Sequence, residues 1–573
     1  MSTLRISLFT ILSLLISLSS CQIINRNVET DIPTEGIKST NTPEDTKKIP
    51  VPVGTSTQIK SENPAIKSWW FDSVFYEIFV RSFYDSNGDG IGDFNGITQK
   101  IDYLNDGDPD TNEDLGISAI WLMPIMPSPS THGYDVTDYY KVNEQYGTMD
   151  DFKIMLELAH SRGIKVILDL PINHTSSEHP WFIQSQNPQS PYREWYIWSD
   201  TDPGYLGPWD QVVWHPLNGD FFYGYFWEGM PDLNYRNPEV TREMENIAQF
   251  WLSDVGVDGF RLDAIGALIE DGEDQVGTVE THQWFRNFQK YCKDINPATF
   301  TVGEIWEVNE KVAPYVANRE VDLAFNFDLS FAIVQGINSQ DPSIVENEIV
   351  KSKTLFPYGK YGTFVTNHDM DRGMTQFGSS LEKAKVAASI YLTLPGVPFI
   401  YYGEEIGMSG VASDEQGRLP MQWTSDPHAG FSIVDPWRPP QPDFGTVNIQ
   451  SELVDPSSLL AHYRKLITIR NSNDIFRKGE VFVNEGSNQS IYSITVSNRD
   501  KAAIVVINFS DQPITDFTIS QSANILSEGD HPLDLLYGNE ASSHMSINSS
   551  GGFVDFVPSN EIPPYGTIII QIE

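Results

Sequence analysis

From about residue 70 to residue 402, short apolar runs alternate with stretches whose apolar positions recur at helical spacing, which predicts βα units around a parallel sheet. Eight runs have the length and bounds of strands: residues 74–80, 119–123, 165–168, 259–262, 300–302, 323–327, 363–366 and 397–402. The helices between them carry their own end signals. Thr148 with Asp150 and Asp151 opens one that stops at Gly163, and Asn237-Pro238-Glu239 opens another that reaches Asp254. Eight units in succession predict an α/β fold, a closed (β/α)8 TIM barrel. Two segments break the rhythm. Residues 171–236, rich in Trp, Tyr, Pro and Gly, are too long for an ordinary connection and read as a subdomain inserted after strand three; residues 404–455 make a second excursion before a last helix at 457–469. Farther on, alternating runs such as 502–507 and 567–572, set between Asn, Gly, Ser and Pro, predict an antiparallel β-sandwich. The expected organisation is therefore a barrel over 67–170 and 237–472, an insertion at 171–236 and a C-terminal sandwich at 473–573.

The N-terminal pattern differs. Arg5, the apolar run 6–18 and the small residues Ser19 and Ser20 form the n-region, h-region and cleavage site of a secretory signal over residues 1–20. Leu18-Ser19-Ser20-Cys21 resembles the lipobox of bacterial lipoproteins, which implies a lipid on Cys21. Residues 22–66 hold Pro, Thr, Ser, Lys and Glu with almost no aromatics, too little apolar surface to offset ordering entropy, so 21–66 reads as a flexible anchored linker. These features predict a protein on the outer face of a bacterial cell, touching the membrane through a lipid anchor only, with the periplasm as the alternative location. A lipidated Cys21 leaves Cys292 without an intrachain disulfide partner, and its neighbours Trp284, Phe285, Phe288 and Tyr291 mark it as a core thiol.

Composition narrows the partners. Against 78 Asp and Glu stand 37 Lys and Arg, a formal charge of −41 that repels phosphate backbones, so nucleic acid is excluded as a natural partner. The 573 residues exclude a minimal binding module, and 14 Trp, 24 Tyr and 31 Phe supply ample material for large cores. A monomer is expected.

In a parallel barrel the reacting groups project from the C-terminal ends of the strands. Strand three ends in Asp169-Leu170-Pro171-Ile172-Asn173-His174, strand four in Arg261-Leu262-Asp263, strand five in Gly303-Glu304 and strand seven in Asn367-His368-Asp369. Asp263, Glu304 and Asp369 thus converge on one rim beside Arg261, His174 and His368. Three carboxylates in one cleft are electrostatically costly unless a cation, shared protons or function compensates.

These segments, in this order, resemble glycoside hydrolase family 13, the α-amylase superfamily. The four signatures are residues 169–174, 259–264, 303–306 and 364–369, supported by 116–124, 396–403 and Met230-Pro231-Asp232-Leu233-Asn234, a form found in bacterial α-amylases between the oligo-1,6-glucosidase and neopullulanase groups. The resemblance covers roughly residues 68 to 573 and implies retaining cleavage of α-glucosidic bonds. Asp263 would be the nucleophile and Glu304 the acid and base, a pair about 5–5.5 Å apart. Asp369, His174 and His368 would hold the sugar, and Tyr134 would be the platform under the glucose before the cut. Arg261, two residues before Asp263 on the same strand face, would keep the nucleophile ionised. Trp214, Trp227, Phe221, Phe222 and Tyr223 of the insertion would extend the platform or fill a core.

Asp85-x-Asn87-x-Asp89-Gly90-Ile91-x-Asp93 presents oxygen ligands at alternate positions. Gly96 at position twelve excludes an EF-hand, and the resemblance implies one structural calcium ion held by Asp85, Asn87, Asp89, Asp93 and the Ile91 carbonyl. Within the family, Ala264 where α-1,6-cleaving members tend to carry Val favours α-1,4 bonds, and Thr131 where exo-acting members often place Asp favours an open cleft. The expected activity is endo-hydrolysis of starch, glycogen or maltooligosaccharides. The alternatives are a cyclomaltodextrinase, neopullulanase or α-glucosidase acting on small oligosaccharides, and an inactive carbohydrate-binding or transporter-associated protein.

Overall fold

Eight parallel strands close into a ring: β1 (Phe75–Ile78), β2 (Ala119–Leu122), β3 (Lys165–Leu170), β4 (Gly259–Leu262), β5 (Phe300–Gly303), β6 (Leu323–Phe325), β7 (Tyr361–Thr363) and β8 (Val397–Tyr401), with β8 pairing β1. The structure, a computed structural model, describes residues 68–573 apart from 109, 110, 112 and 414. The proposed signal, Cys21 and the whole of the linker lie outside the described residues. Among the described residues no helix is long and apolar enough to cross a membrane.

The strands read as largely apolar runs because both their faces are covered. Inside the ring, Phe75, Trp121, Ile167, Phe300, Val302, Phe325, Val397 and Phe399 form one packed cluster; outside, the helices pack on the opposite faces. Strand seven begins two residues before the predicted run. Gly362 hides it from the hydrophobic pattern, for a Cβ there would meet the rings of Phe325 and Phe399 at 3.1–3.4 Å. The helices start as their caps dictate. Thr148 and Asp151 form a reciprocal capping box at Met149–Ser161, and Asn237 caps Pro238–Gln249, with proline in its first turn. Cys292 is fully buried on the helix Val279–Ile295, and burial pushes its thiol up to about 12.

Between β3 and β4 the chain builds a three-stranded antiparallel sheet from Trp198–Ser199, Trp214–Leu217 and Asp220–Tyr223. Its aromatic core of Val213, Trp214, Tyr223 and Tyr225 packs against Ala267, in the loop that follows β4. After the barrel come a six-stranded and a three-stranded antiparallel sheet, whose facing apolar residues include Ile504, Val506, Phe517, Ile519, Phe553 and Ile570.

Candidate active site

One buried guanidinium organises the C-terminal rim of the barrel. Register pairs Arg261 on β4 with Asp169 on β3, so both side chains enter the barrel at one level. Arg261 Nη1 donates to Asp169 Oδ1 at 2.8 Å and to Asp263 Oδ1 at 2.6 Å, and Nη2 makes an ion pair with Glu304 Oε2 at 2.5 Å. Asp263 is hydrogen-bonded to one arm of the guanidinium and Glu304 is ion-paired with the other, so a single planar cation stands against both carboxylates. Immediately after Asp263, Ala264 takes the left-handed conformation, φ 46° and ψ 39°, and turns the chain so that Ile265 N–H donates to the Glu304 carbonyl. A non-glycine residue there stores strain beside the carboxylates.

The third carboxylate stands nearer water. The Asp369 side chain is 39% exposed, against 11% and 6% for those of Asp263 and Glu304. His368 Nε2 lies 3.2 Å from Asp369 Oδ2, and Arg418 Nη2 donates to Oδ1 at 3.0 Å. His368 is fixed from behind by Glu77 of β1, which meets its Nδ1. Tyr134 stacks on the His368 ring at 5.6 Å and 15°; its hydroxyl lies 2.6 Å from His368 Nε2 and donates to Asp169 Oδ2 at 2.9 Å.

These contacts divide the charges. Burial raises the Glu304 carboxyl above its ordinary range, with Asp263 and Asp369 adding to the rise and Arg261 opposing it. Burial also raises Asp263, against the opposing Arg261 charge, and lifts Asp169 to about 7. Asp369 goes the other way: against the desolvation, His368 and Arg418 hold it well below the carboxylate range. His368 is raised to about 10, since the Asp369 and Glu77 carboxylates outweigh burial, so it is an imidazolium at neutral pH. Buried His174 is lowered to about 4, is neutral, and has no hydrogen-bond partner on either ring nitrogen. The rim therefore combines two carboxyls raised by burial and sharing one opposing guanidinium with an anion–imidazolium pair, groups suited to acid–base and nucleophilic chemistry.

The structure brings six of the seven residues expected at the cleft into one network of contacts, Asp263, Glu304, Asp369, Tyr134, Arg261 and His368, while His174 is buried against the ring of Phe226. It adds five that sequence reasoning passed over. Asp169 and Glu77 are carboxylates inside otherwise apolar buried strands, a visible anomaly. Trp121 donates to Asp169 at 3.3 Å and Trp306 donates to Glu304 Oε1 at 3.0 Å. Arg418 arrives from the long excursion after β8, where nothing local marks it. Of the insertion's aromatics, Trp214, Phe222 and Tyr223 are core, Phe221 is half-buried, and Trp227 is exposed.

The loop from Asp85 to Asp93 lies apart from this cluster. Successive Asx turns run along it, Asn87 N–H to Asp85, Asp89 N–H to Asn87 and Ile91 N–H to Asp89. Asp85 accepts four hydrogen bonds, including one from Ser432, and Asp93 also caps the helix Phe94–Leu104. Asn87 and Asp89 are exposed with acceptor capacity to spare. The oxygen-only donor set suits a hard cation in kind. Among the described residues no three His, Cys, Asp or Glu side chains cluster as a cage, and Asp85, Asp89 and Asp93 instead accept hydrogen bonds from backbone N–H and serine groups.

The family model for the α-amylase catalytic domain matches residues 77–479. α-Amylase 3 of Dictyoglomus thermophilum is 39% identical over 515 residues, covering 88% of this chain and 94% of that protein. An oligo-1,6-glucosidase of Parageobacillus thermoglucosidasius is 34% identical, covering 78% and 91%. The crystal structure of an α-amylase from H. orenii superposes with a TM-score of 0.77 at 40% identity, covering 87% of this chain and 99% of that one.

Proposed function

Because this chain belongs to the α-amylase family, glycoside hydrolase family 13, we propose that it cleaves α-glucosidic bonds with retention, using Asp263 as nucleophile and Glu304 as acid and base. The Asp263 carboxylate attacks the anomeric carbon while Glu304 gives its proton to the departing glycosidic oxygen, leaving a β-glucosyl ester on Asp263. Glu304, now ionised, takes a proton from water, whose oxygen attacks the same carbon and frees Asp263. The observation that carries this reading is the Arg261 fork. It favours the anion of Asp263 and sets Glu304 beside it, the close pairing that double displacement needs, while burial and the neighbouring anions favour the protonated Glu304. Asp369, held by Arg418 and His368, offers acceptors to sugar hydroxyls, and neutral His174 offers an unpartnered ring nitrogen.

The substrate we propose is the internal α-1,4 bond of starch, glycogen or maltooligosaccharides. Thr131, three residues before Tyr134, is exposed and carries no charge to close the cleft, and the similarity to proteins named α-amylase supports the reading. The proposed lipid on Cys21 fits this, since a polymer too large to enter must be cut outside. Asp85, Asn87, Asp89, Asp93 and the Ile91 carbonyl would hold one calcium ion, whose part is to stiffen the loop.

Asp263→Asn and Glu304→Gln are each expected to lose at least about a thousandfold in kcat while keeping the native circular dichroism and melting transition. Near-normal turnover by either one would refute the assignment. Chromatography of early products from amylose separates the substrates: mixed lengths support endo attack, whereas glucose alone would favour the small-oligosaccharide reading suggested by the oligo-1,6-glucosidase relative.

A further inference from the structure

The inserted segment carries its most exposed aromatic side chain, Trp209, 62% accessible, at the tip of a tightly fastened hairpin. Leu206 and Val212 bridge across its base, Gly207 N–H donates to the Gln211 carbonyl, and Asp210 N–H to the Gly207 carbonyl. The Gln211 side chain then locks the tip from both sides: its Oε1 accepts from Trp209 N–H at 2.9 Å and its Nε2 donates to the Tyr225 carbonyl at 3.1 Å. That side chain fills the space beside Gly207, where a Cβ would stand 2.2 Å from its Nε2. A single exposed indole is ordinary, but one held on a fastened loop is preorganised for stacking, because the loop's ordering cost is already met before a ligand arrives.

The platform is continuous with the catalytic cleft. Trp209 meets Phe226 at 6.3 Å between centroids, and half-buried Phe226 meets the ring of His174 at 5.3 Å, edge to face. The same aromatic cluster packs on Ala267, in the loop that begins at the nucleophile's neighbour. Two ring-to-ring steps thus lead from His174, expected at the cleft, to the surface. Exposed Asp210 stands next to Trp209 at the tip, and with the chain's acid excess it disfavours anionic ligands. A pyranose, with an apolar C–H face for stacking and hydroxyls that stay hydrated, matches an exposed indole.

We propose that Trp209, backed by Phe226, is a distal subsite for an α-glucan chain running out of the cleft, so that it sets the preference for longer substrates. This rests on the α-glucan reading of the site above. The test measures dissociation constants of maltotriose and maltoheptaose by calorimetry on the inactive Asp263→Asn protein, with and without Trp209→Ala or Trp209→Phe. The expected result is that the preference for maltoheptaose over maltotriose falls about fivefold to tenfold with Ala and much less with Phe. An unchanged preference in a Trp209→Ala protein that melts like its parent overturns the subsite. Failure of the Asp263→Asn protein to bind either sugar would instead overturn the reading of the site itself. If Trp209→Ala unfolds the hairpin, seen as a lowered melting temperature, Trp209→Lys, which keeps the exposed tip polar, provides the second variant and must lose the same preference.

Discussion

Replacing Arg261 by lysine keeps the charge and removes the fork. One ammonium cannot reach three carboxylates on three strands, so contacts of 2.8 Å to Asp169, 2.6 Å to Asp263 and 2.5 Å to Glu304 reduce to one or two. If Asp263 loses its partner, its ionised form forgoes a charge-assisted hydrogen bond of about 1.5–3 kcal/mol. At about 1.36 kcal/mol per pKa unit, the acid limb of the pH–rate curve moves up by about one to two units. Misplacement of the pair lowers kcat/KM at the optimum by about a hundredfold, or roughly 2.7 kcal/mol of transition-state stabilisation. The assay is kcat/KM on a maltooligosaccharide over about five pH units, with a melting curve at each pH to verify folding. An Arg261→Lys enzyme with an unmoved acid limb and near-native kcat/KM would refute the claim that the guanidinium holds the nucleophile ionised.

Other substitutions and conditions test the neighbouring parts. The folded value of His368, about 10, lies above its ordinary 6.5, so its stabilising contribution is complete below pH 6.5 and lost as pH rises towards 10; melting temperature should fall over that window, and His368→Asn should flatten the fall. Asp369 is displaced in the opposite direction, so its contribution is present above its ordinary 3.8 and disappears as the medium is acidified below it. At Ala264, φ 46°, a branched side chain is strained: Ala264→Val should cost about 1–3 kcal/mol in a denaturant titration, whereas Ala264→Gly should not destabilise. Chelation should lower the melting temperature and added calcium restore it, with Asp89→Asn abolishing the difference; a chelator-insensitive melt would argue against the metal.

How far the chain announces its own structure depends on whether the cause is local. Seven of the eight barrel strands stand where apolar runs predicted them, since burial on both faces leaves a clear mark. Strand seven was displaced only because Gly362 contributes no side chain to the pattern. The carboxylates at strand ends were legible for the same reason: a barrel exposes its chemistry at one rim. Arg418 was not, because it reaches Asp369 through the fold of the excursion after β8, a contact separated by 49 residues that no spacing rule anticipates. Trp209 was likewise masked. Aromatic content marked the insertion as a candidate platform, but only packing separates Trp214, locked in its core, from Trp209 at its surface.

Trapping the covalent intermediate tests the double displacement most directly. In a Glu304→Gln enzyme, an α-maltosyl fluoride needs no acid to lose fluoride, while the missing base slows release of the ester. Mass spectrometry of the digested protein should then find one maltosyl group on the peptide carrying Asp263. A trapped sugar on another residue, or none while fluoride is released in a stoichiometric burst, would contradict the account.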